Sequence, residues 1–306
     1  MRLARGTGNV RTGSADVDSR SPWPRQVRVA SVLDSMTKRR VLLTGSTGYL
    51  GRHLVAELRR RGEGFTTLGR TNADRICDLG DLAELRRHVA AVRPTHVVHA
   101  GAVATLAACE GDEDRAFAVN ASSMSVLSAQ ADVRVVLVST DLVFDGEQAP
   151  YDEARVPAPR SAYGRTKAAA ERMLLTAGAG LVVRVPLLFG KSFDGVRGAT
   201  DMIRSKLAQR ASVVLFADEW RSPLHVVDAA HGLIAALFSE RNGVLHLPGP
   251  KRVTRAEFGL RFCALQGLDG ALLSSGLRSD PGRPRDVSLS GSWTAGRSLD
   301  AMLRDS

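Results

Sequence analysis

Aromatic side chains are scarce in this chain: nine phenylalanines, three tyrosines and three tryptophans make up 5% of its 306 residues. A groove that binds nucleic acid needs stacked aromatics on a basic track, and neither that platform nor a basic stripe is present, which argues against DNA or RNA. Cysteine is as rare. Cys77, Cys109 and Cys263 stand in unrelated contexts without metal-ligand spacing, so they read as small apolar fillers in a reducing compartment, with no metal site. No stretch approaches the roughly 18 apolar residues of a membrane span. None has the apolar core of a secretory signal either. A soluble, cytoplasmic protein is expected, with no membrane partner.

Lysine is nearly absent beside arginine, five against 37, and the net charge is +10. Residues 1–40 carry nine basic side chains against three aspartates, which leaves only +4 on the remainder. A mildly basic body suits an anionic cofactor and substrate. Residues 1–38 are rich in Arg, Ser and Gly, show no periodicity, and precede the first apolar strand; they are expected to be a disordered extension.

From Arg39 onward, apolar strands and amphipathic stretches alternate, the pattern of a doubly wound parallel sheet. The first unit is strand, glycine turn, helix: Val41-Leu42-Leu43-Thr44 leads into Gly45-Ser46-Thr47-Gly48-Tyr49-Leu50-Gly51. Gly45 permits the tight turn, Gly48 lets the backbone approach a pyrophosphate, and Gly51 lets the helix pack on the strand, whose following helix N-terminus favours anions. The second strand, Phe65 to Leu68, ends in Gly69-Arg70, with no acidic residue until Asp74. An acid there holds the ribose 2′-hydroxyl of NAD, whereas an Arg suits the 2′-phosphate of NADP, so NADPH is expected, with NADH as the lesser alternative. Arg70 merely solvating the strand end is the plainer reading.

Thr140, Tyr163 and Lys167 carry the chemistry. Tyr163 and Lys167 are four residues apart on a helical pattern, and an ammonium one turn away lowers the cost of a phenolate. Thr140 ends the apolar strand Val135-Val136-Leu137-Val138, where a hydroxyl can hold a carbonyl oxygen beside the phenol. Asp141 next to it either contacts the substrate or caps the following turn. Together they describe a carbonyl reductase site.

The two motifs, in this order, resemble the extended short-chain dehydrogenase/reductases, and most closely the dTDP-4-dehydrorhamnose reductase branch, from about Arg40 to Leu303. The resemblance rests on Ser139-Thr140-Asp141 with Val143-Phe144-Asp145-Gly146, Pro150-Tyr151-Asp152-Glu153, Tyr163-Gly164-Arg165-Thr166-Lys167, Arg221-Ser222-Pro223 and Arg283-Pro284-Arg285-Asp286. It implies a Rossmann-type domain over 39–185 and a smaller α/β substrate-binding part over 186–306, with segments returning to the first. It also implies that Gly45, Thr47, Gly48, Tyr49, Leu50, Gly51, Arg70, Asp78, Leu79, Ala100, Gly101, Ala102, Tyr163 and Lys167 face the cofactor, and Thr140, Asp141, Leu187 and Arg221 the substrate. Asp78 is either an adenine contact or the cap of the next helix, and Asn120 either supports Lys167 through water or is a satisfied buried amide. Asp228 caps or orients the helix that follows it. Arg221 and Arg252 are the diphosphate candidates.

The branch carries Tyr and Trp where this chain has Leu142 and Leu187, so the sugar itself is left open. The implied reaction is NADPH-dependent reduction of a keto group on a nucleotide-activated sugar of the dTDP-4-keto-6-deoxyhexose type, by an enzyme for which a homodimer is the candidate assembly. The alternatives are a non-catalytic cofactor-binding subunit resembling the methionine adenosyltransferase regulatory β subunit, an epimerase, and a reductase of another ketone.

Overall fold

The computed structural model describes residues 39–306, apart from Ala131, Ala179 and Pro281; the expected extension over 1–38 lies outside the described residues. Six strands in chain order, β1 (Val41–Thr44), β2 (Phe65–Gly69), β3 (Arg75–Ile76), β4 (His96–His99), β5 (Arg134–Thr140) and β6 (Gly180–Val185), join a seventh, Gly243–His246, in one sheet. The spatial order is Gly243–His246, β6, β5, β4, β1, β2, β3, and every pairing is parallel. This is the doubly wound Rossmann-type sheet expected.

The hydrophobic content of these strands explains their position. β1 and β6 are buried along their whole length, as strands covered by helices on both faces must be. One apolar layer packs Leu43, Val98, Val136 and Val183 against the helices Tyr49–Arg60 and Val226–Leu237, and another packs Leu42, Val97, Val135 and Val182 on the opposite face. The strand order reverses between β1 and β4, since β2 and β3 are added on one side of β1 and β4 to β6 on the other. Such a switch point opens a crevice at the carboxyl ends of the strands, where ligands bind in sheets of this type.

Strand Gly243–His246 lies well past residue 186 yet pairs with β6 in the main sheet. Smaller two-stranded pairings carry the rest of the later chain: Leu224–His225 with Leu188–Phe189, Val253–Thr254 with Trp220–Arg221, and Leu273–Gly276 with Val213–Phe216. The helix Val226–Leu237 is capped by His225, whose ring accepts from Val227 N at 3.3 Å, and not by Asp228. Asp228 lies inside the first turn and holds Arg297 instead.

Candidate active site

A cavity of about 1340 Å³ occupies the switch-point crevice. Its floor is set by close approach of backbone. A Cβ on Gly51 would lie 1.9 Å from the Gly45 carbonyl oxygen, and one on Gly45, whose φ is +74°, would lie 2.5 Å from Gly101 N. One on Gly101 would meet Leu79 at 2.4 Å. Below this cradle, Thr44 Oγ1 accepts from Gly101 N at 3.1 Å and shares a proton with His99 Nδ1 at 2.8 Å, while His99 Nε2 meets Ser123 Oγ at 3.2 Å. Burial, with a lesser push from Lys167, holds the His99 pKa down to about 3, so this ring is a neutral brace between β1 and β4. Gly48, Tyr49 and Leu50 begin the Tyr49–Arg60 helix against the cavity, with its unpaired N–H groups at that end. A nicotinamide dinucleotide fits these walls: the glycines let the turn, the helix start and the end of β4 pack closely along the cavity, and the helix start favours its diphosphate.

The residues expected at cofactor and substrate, Arg252 excepted, line this one cavity, from Gly45 and Arg70 at one end to Thr140, Asp141, Leu187 and Arg221 at the other, with Tyr163 and Lys167 between. Asp78 accepts from Gly80 N at 2.8 Å and pairs with Arg115; the cap of the following helix is Asp81, which accepts from Glu84 N. Asn120 is a satisfied amide, accepting from Val103 N at 2.7 Å and donating to Val103 O and Thr166 Oγ1 at 3.0 Å each. Arg252 turns away from the cavity, stacks 3.8 Å over the Trp220 ring and pairs with Asp286.

Tyr163 and Lys167 project from the helix Ala162–Thr176, whose start is fixed by Ser161 accepting from Gly164 N at 3.1 Å. Gly164 is required there, because a Cβ would lie 2.3 Å from the Leu142 carbonyl oxygen. The expectation that Lys167 eases ionisation of Tyr163 needs correction. Burial, then the Asp141 and Cys109 charges, push the phenol up, so it rests firmly protonated. Burial pulls Lys167 down to about 8, opposed by Glu171 one turn on. Desolvation is the largest cause of both shifts.

Glu171 lies one turn beyond Lys167 on the same face of that helix. It receives Arg184 through two guanidinium nitrogens, at 2.7 Å and 3.1 Å, and accepts from Ser139 Oγ; carboxylate and guanidinium are each only 2% exposed. Arg184 also lies 4.9 Å over the Phe144 ring, which stacks on Tyr151 at 4.1 Å. The Tyr151 hydroxyl accepts from the backbone N–H groups of Gly146, Glu147 and Gln148 and donates to Asp145. The motif residues after Thr140 thereby fix the loop behind the site.

The substrate end contains a group of charges not foreseen as a set. Asp141 is buried, its Oδ2 has no hydrogen-bond partner, and Arg221 Nε lies 3.8 Å away. Arg221 Nη2 pairs with buried Glu219 at 3.0 Å, and Arg283 reaches Glu219 at 3.4 Å. Arg255, whose backbone N donates to Glu219 O at 2.9 Å, has a buried Nη1 without an acceptor. Burial raises the Asp141 pKa to about 6 despite Arg221. The Thr140 hydroxyl donates to Asp141 Oδ1 at 3.1 Å and accepts from Leu142 N at 3.2 Å, so Thr140, not Asp141, caps the turn Asp141–Val143. Glu219, Arg255 and Arg283 come from three distant segments; the pairing of Val253–Thr254 with Trp220–Arg221 and the bridge between Trp220 and Asp286 bring them together, which no local spacing reveals.

Comparison with known proteins decides the family. The model of the RmlD substrate binding domain matches residues 39–286. The chain belongs to that family. As an RmlD-type member, it is 33% identical over 254 residues to a dTDP-4-keto-6-deoxy-D-glucose reductase of Streptomyces niveus, covering 81% of this chain and 82% of that one. It is 28% identical to methionine adenosyltransferase 2 subunit beta of Pongo abelii, over 79% of this chain and 75% of the other. Its fold matches the NADP complex of a dTDP-4-dehydrorhamnose reductase from Bacillus anthracis with a TM-score of 0.79 and 22% identity, over 87% of this chain and 98% of that one. The expected placement among extended short-chain dehydrogenase/reductases of the dTDP-4-dehydrorhamnose reductase type is borne out.

Proposed function

We propose that this RmlD-type oxidoreductase is an NADPH-dependent reductase of a keto group on a nucleotide-activated sugar, of the dTDP-4-keto-6-deoxyhexose type. The observation that carries this reading is the meeting of Thr140, Tyr163 and Lys167 on the wall of a cavity whose other end is the glycine cradle. The identity shared with a reductase of a dTDP-linked keto sugar supports it.

Bound NADPH would supply the hydride. The rest is the work of this chain's side chains. Tyr163, held protonated by burial, gives its proton to the ketone oxygen as negative charge develops there. Lys167, charged below about pH 8, stabilises the phenolate left behind. Thr140 turns its hydroxyl from Asp141 to the carbonyl oxygen and orients it.

The second reading, a cofactor-binding regulatory subunit, draws on the likeness to methionine adenosyltransferase subunit beta. Both readings are tested by following NADPH oxidation with dTDP-4-keto-6-deoxy sugars. The expected result is turnover that falls about 10²- to 10⁴-fold in Tyr163→Phe while NADPH still binds. NADPH binding without turnover of any such sugar would favour the subunit, and a Tyr163→Phe variant with most of its rate would end the proton-donor role.

A further inference from the structure

Residues 190–198 connect the strand Leu188–Phe189 to the helix Ala199–Ala208 and cross over the glycine turn. Three points hold them there. The Tyr49 hydroxyl donates to Gly190 O at 2.8 Å, His53 Nε2 meets Lys191 O at 3.1 Å, and Arg197 Nη1 donates to Thr47 O at 3.1 Å. Tyr49 and His53 belong to the helix that begins at the turn, and Thr47 to the turn itself. The connection is built to fold back on them. Gly190, Gly195 and Gly198 take φ of +114°, +70° and +91°, and a Cβ on Gly198 would lie 2.7 Å from the Tyr49 ring. Ser192 ties its base to Asp201, and Asp194 pairs with Arg197 at 2.9 Å. Phe193 stays 61% exposed on its outer side, resting only on His53 and Arg52.

Arg197 lines the cavity beside the glycine turn, at the start of the Tyr49–Arg60 helix. A diphosphate at that helix start would have backbone N–H groups on one side and this guanidinium on the other, in the forked geometry that suits phosphate oxygens. We propose that residues 190–198 are a strap over the dinucleotide's diphosphate, with Arg197 as its clamping cation and Tyr49 as its latch. The proposal rests on the dinucleotide reading of the cavity. Because the strap closes over the cofactor and hinges on glycines, cofactor release requires Arg197 to leave Thr47 and Tyr49 to leave Gly190.

The test measures binding by the full chain, with NADPH and with 2′-AMP, a fragment that carries the 2′-phosphate and adenosine but no diphosphate. Arg197→Gln is expected to weaken NADPH about tenfold, the effect of one charge-assisted contact in a partly exposed site, and to leave 2′-AMP unchanged. Arg197→Lys should restore part of the loss, and Tyr49→Phe should speed NADPH dissociation. Equal weakening of both ligands would mean a general loosening of the site and overturn the clamp, as would no change in either. A wild-type chain that binds 2′-AMP but gains nothing from the rest of NADPH would also overturn it, whereas one that binds neither would fail the dinucleotide reading itself and the clamp with it.

Discussion

The two ends of the cavity are made of opposite materials. At the cofactor end the working parts are absences of side chain: Gly45, Gly51 and Gly101 let backbone meet backbone, and selectivity there comes from N–H groups at a helix start. At the other end they are charges, Asp141, Glu219, Arg221 and Arg255 with the half-exposed Arg283, drawn from four segments and left with Asp141 Oδ2 and Arg255 Nη1 unsatisfied. Steric demands of the first kind leave no freedom for substitution, whereas charge balance of the second kind can be retuned by changing one member. The backbone-built end is therefore the less substitutable of the two, and the charged end the more tunable.

The steric end should break most completely. Gly51→Ala places a methyl 1.9 Å from a backbone carbonyl oxygen that no rotamer can move, so the loss should exceed about 4 kcal/mol and NADPH binding should disappear with it. Thermal unfolding and an NADPH titration would check this, and a stable, cofactor-binding variant would show that the cradle is not tight. Next in size is Glu171→Gln, which leaves Arg184 buried without its countercharge at a cost of about 3–5 kcal/mol in chemical denaturation. The same change bears on activity. Glu171 holds the Lys167 pKa up against burial, so without it the alkaline fall in rate should move from about pH 8 to lower pH. An alkaline limb that stayed in place would separate Glu171 from the function of Lys167.

The difference between the ends also explains how much was legible in the sequence. The parallel sheet followed from apolar strands alternating with amphipathic stretches, and the glycine turn from spacing within seven residues. Tyr163 and Lys167 were legible because a helix puts i and i+4 on one face. Helix caps were less legible. Asp81 lies three residues from Asp78, and His225 three from Asp228; each pair offers plausible caps, and only backbone geometry chooses. Direction of the Tyr163 shift failed for a related reason, since spacing reveals the neighbouring ammonium but not the depth of burial. The strap was invisible as well: Tyr49 reads as part of the glycine motif, and nothing local says that its hydroxyl reaches Gly190.

The charged end offers a prediction of opposite sign. Asp141 has a folded pKa of about 6 against an ordinary value of 3.8. A carboxyl whose pKa is raised by folding favours the unfolded state, where it ionises more easily; the penalty is absent below about pH 4, grows between pH 4 and 6, and is constant above. Asp141→Asn should therefore stabilise the protein by about 3 kcal/mol at neutral pH and not at all near pH 4, while turnover falls. Denaturant melts at the two pH values decide it: equal gains at both would assign the effect to packing, and no gain would mean that Arg221 already balances the charge.

The smallest effect belongs to the outer rim of the cofactor end, and it tests whether selectivity there is as fixed as the cradle. Arg70 is exposed on the cavity edge where β2 ends, with Thr71 and Asn72 beside it. The acidic residue that would hold a ribose 2′-hydroxyl is missing: Asp74, the first acid after the strand, turns back to accept from Thr67 N and Oγ1, each at 2.8 Å, which removes it from competition for the ribose. A single solvated guanidinium facing a 2′-phosphate should give about one charge-assisted contact, so Arg70→Gln should weaken NADPH about tenfold and leave NADH nearly unchanged. Raising the salt concentration should shrink the wild-type preference for NADPH and have little effect on the variant, because an exposed ion pair is screened and the glycine cradle is not. If Arg70→Gln weakened both cofactors alike, Arg70 would be supporting the adenosine as a whole, and the preference would have to come from another cation lining this end, such as Arg115, which is paired with Asp78.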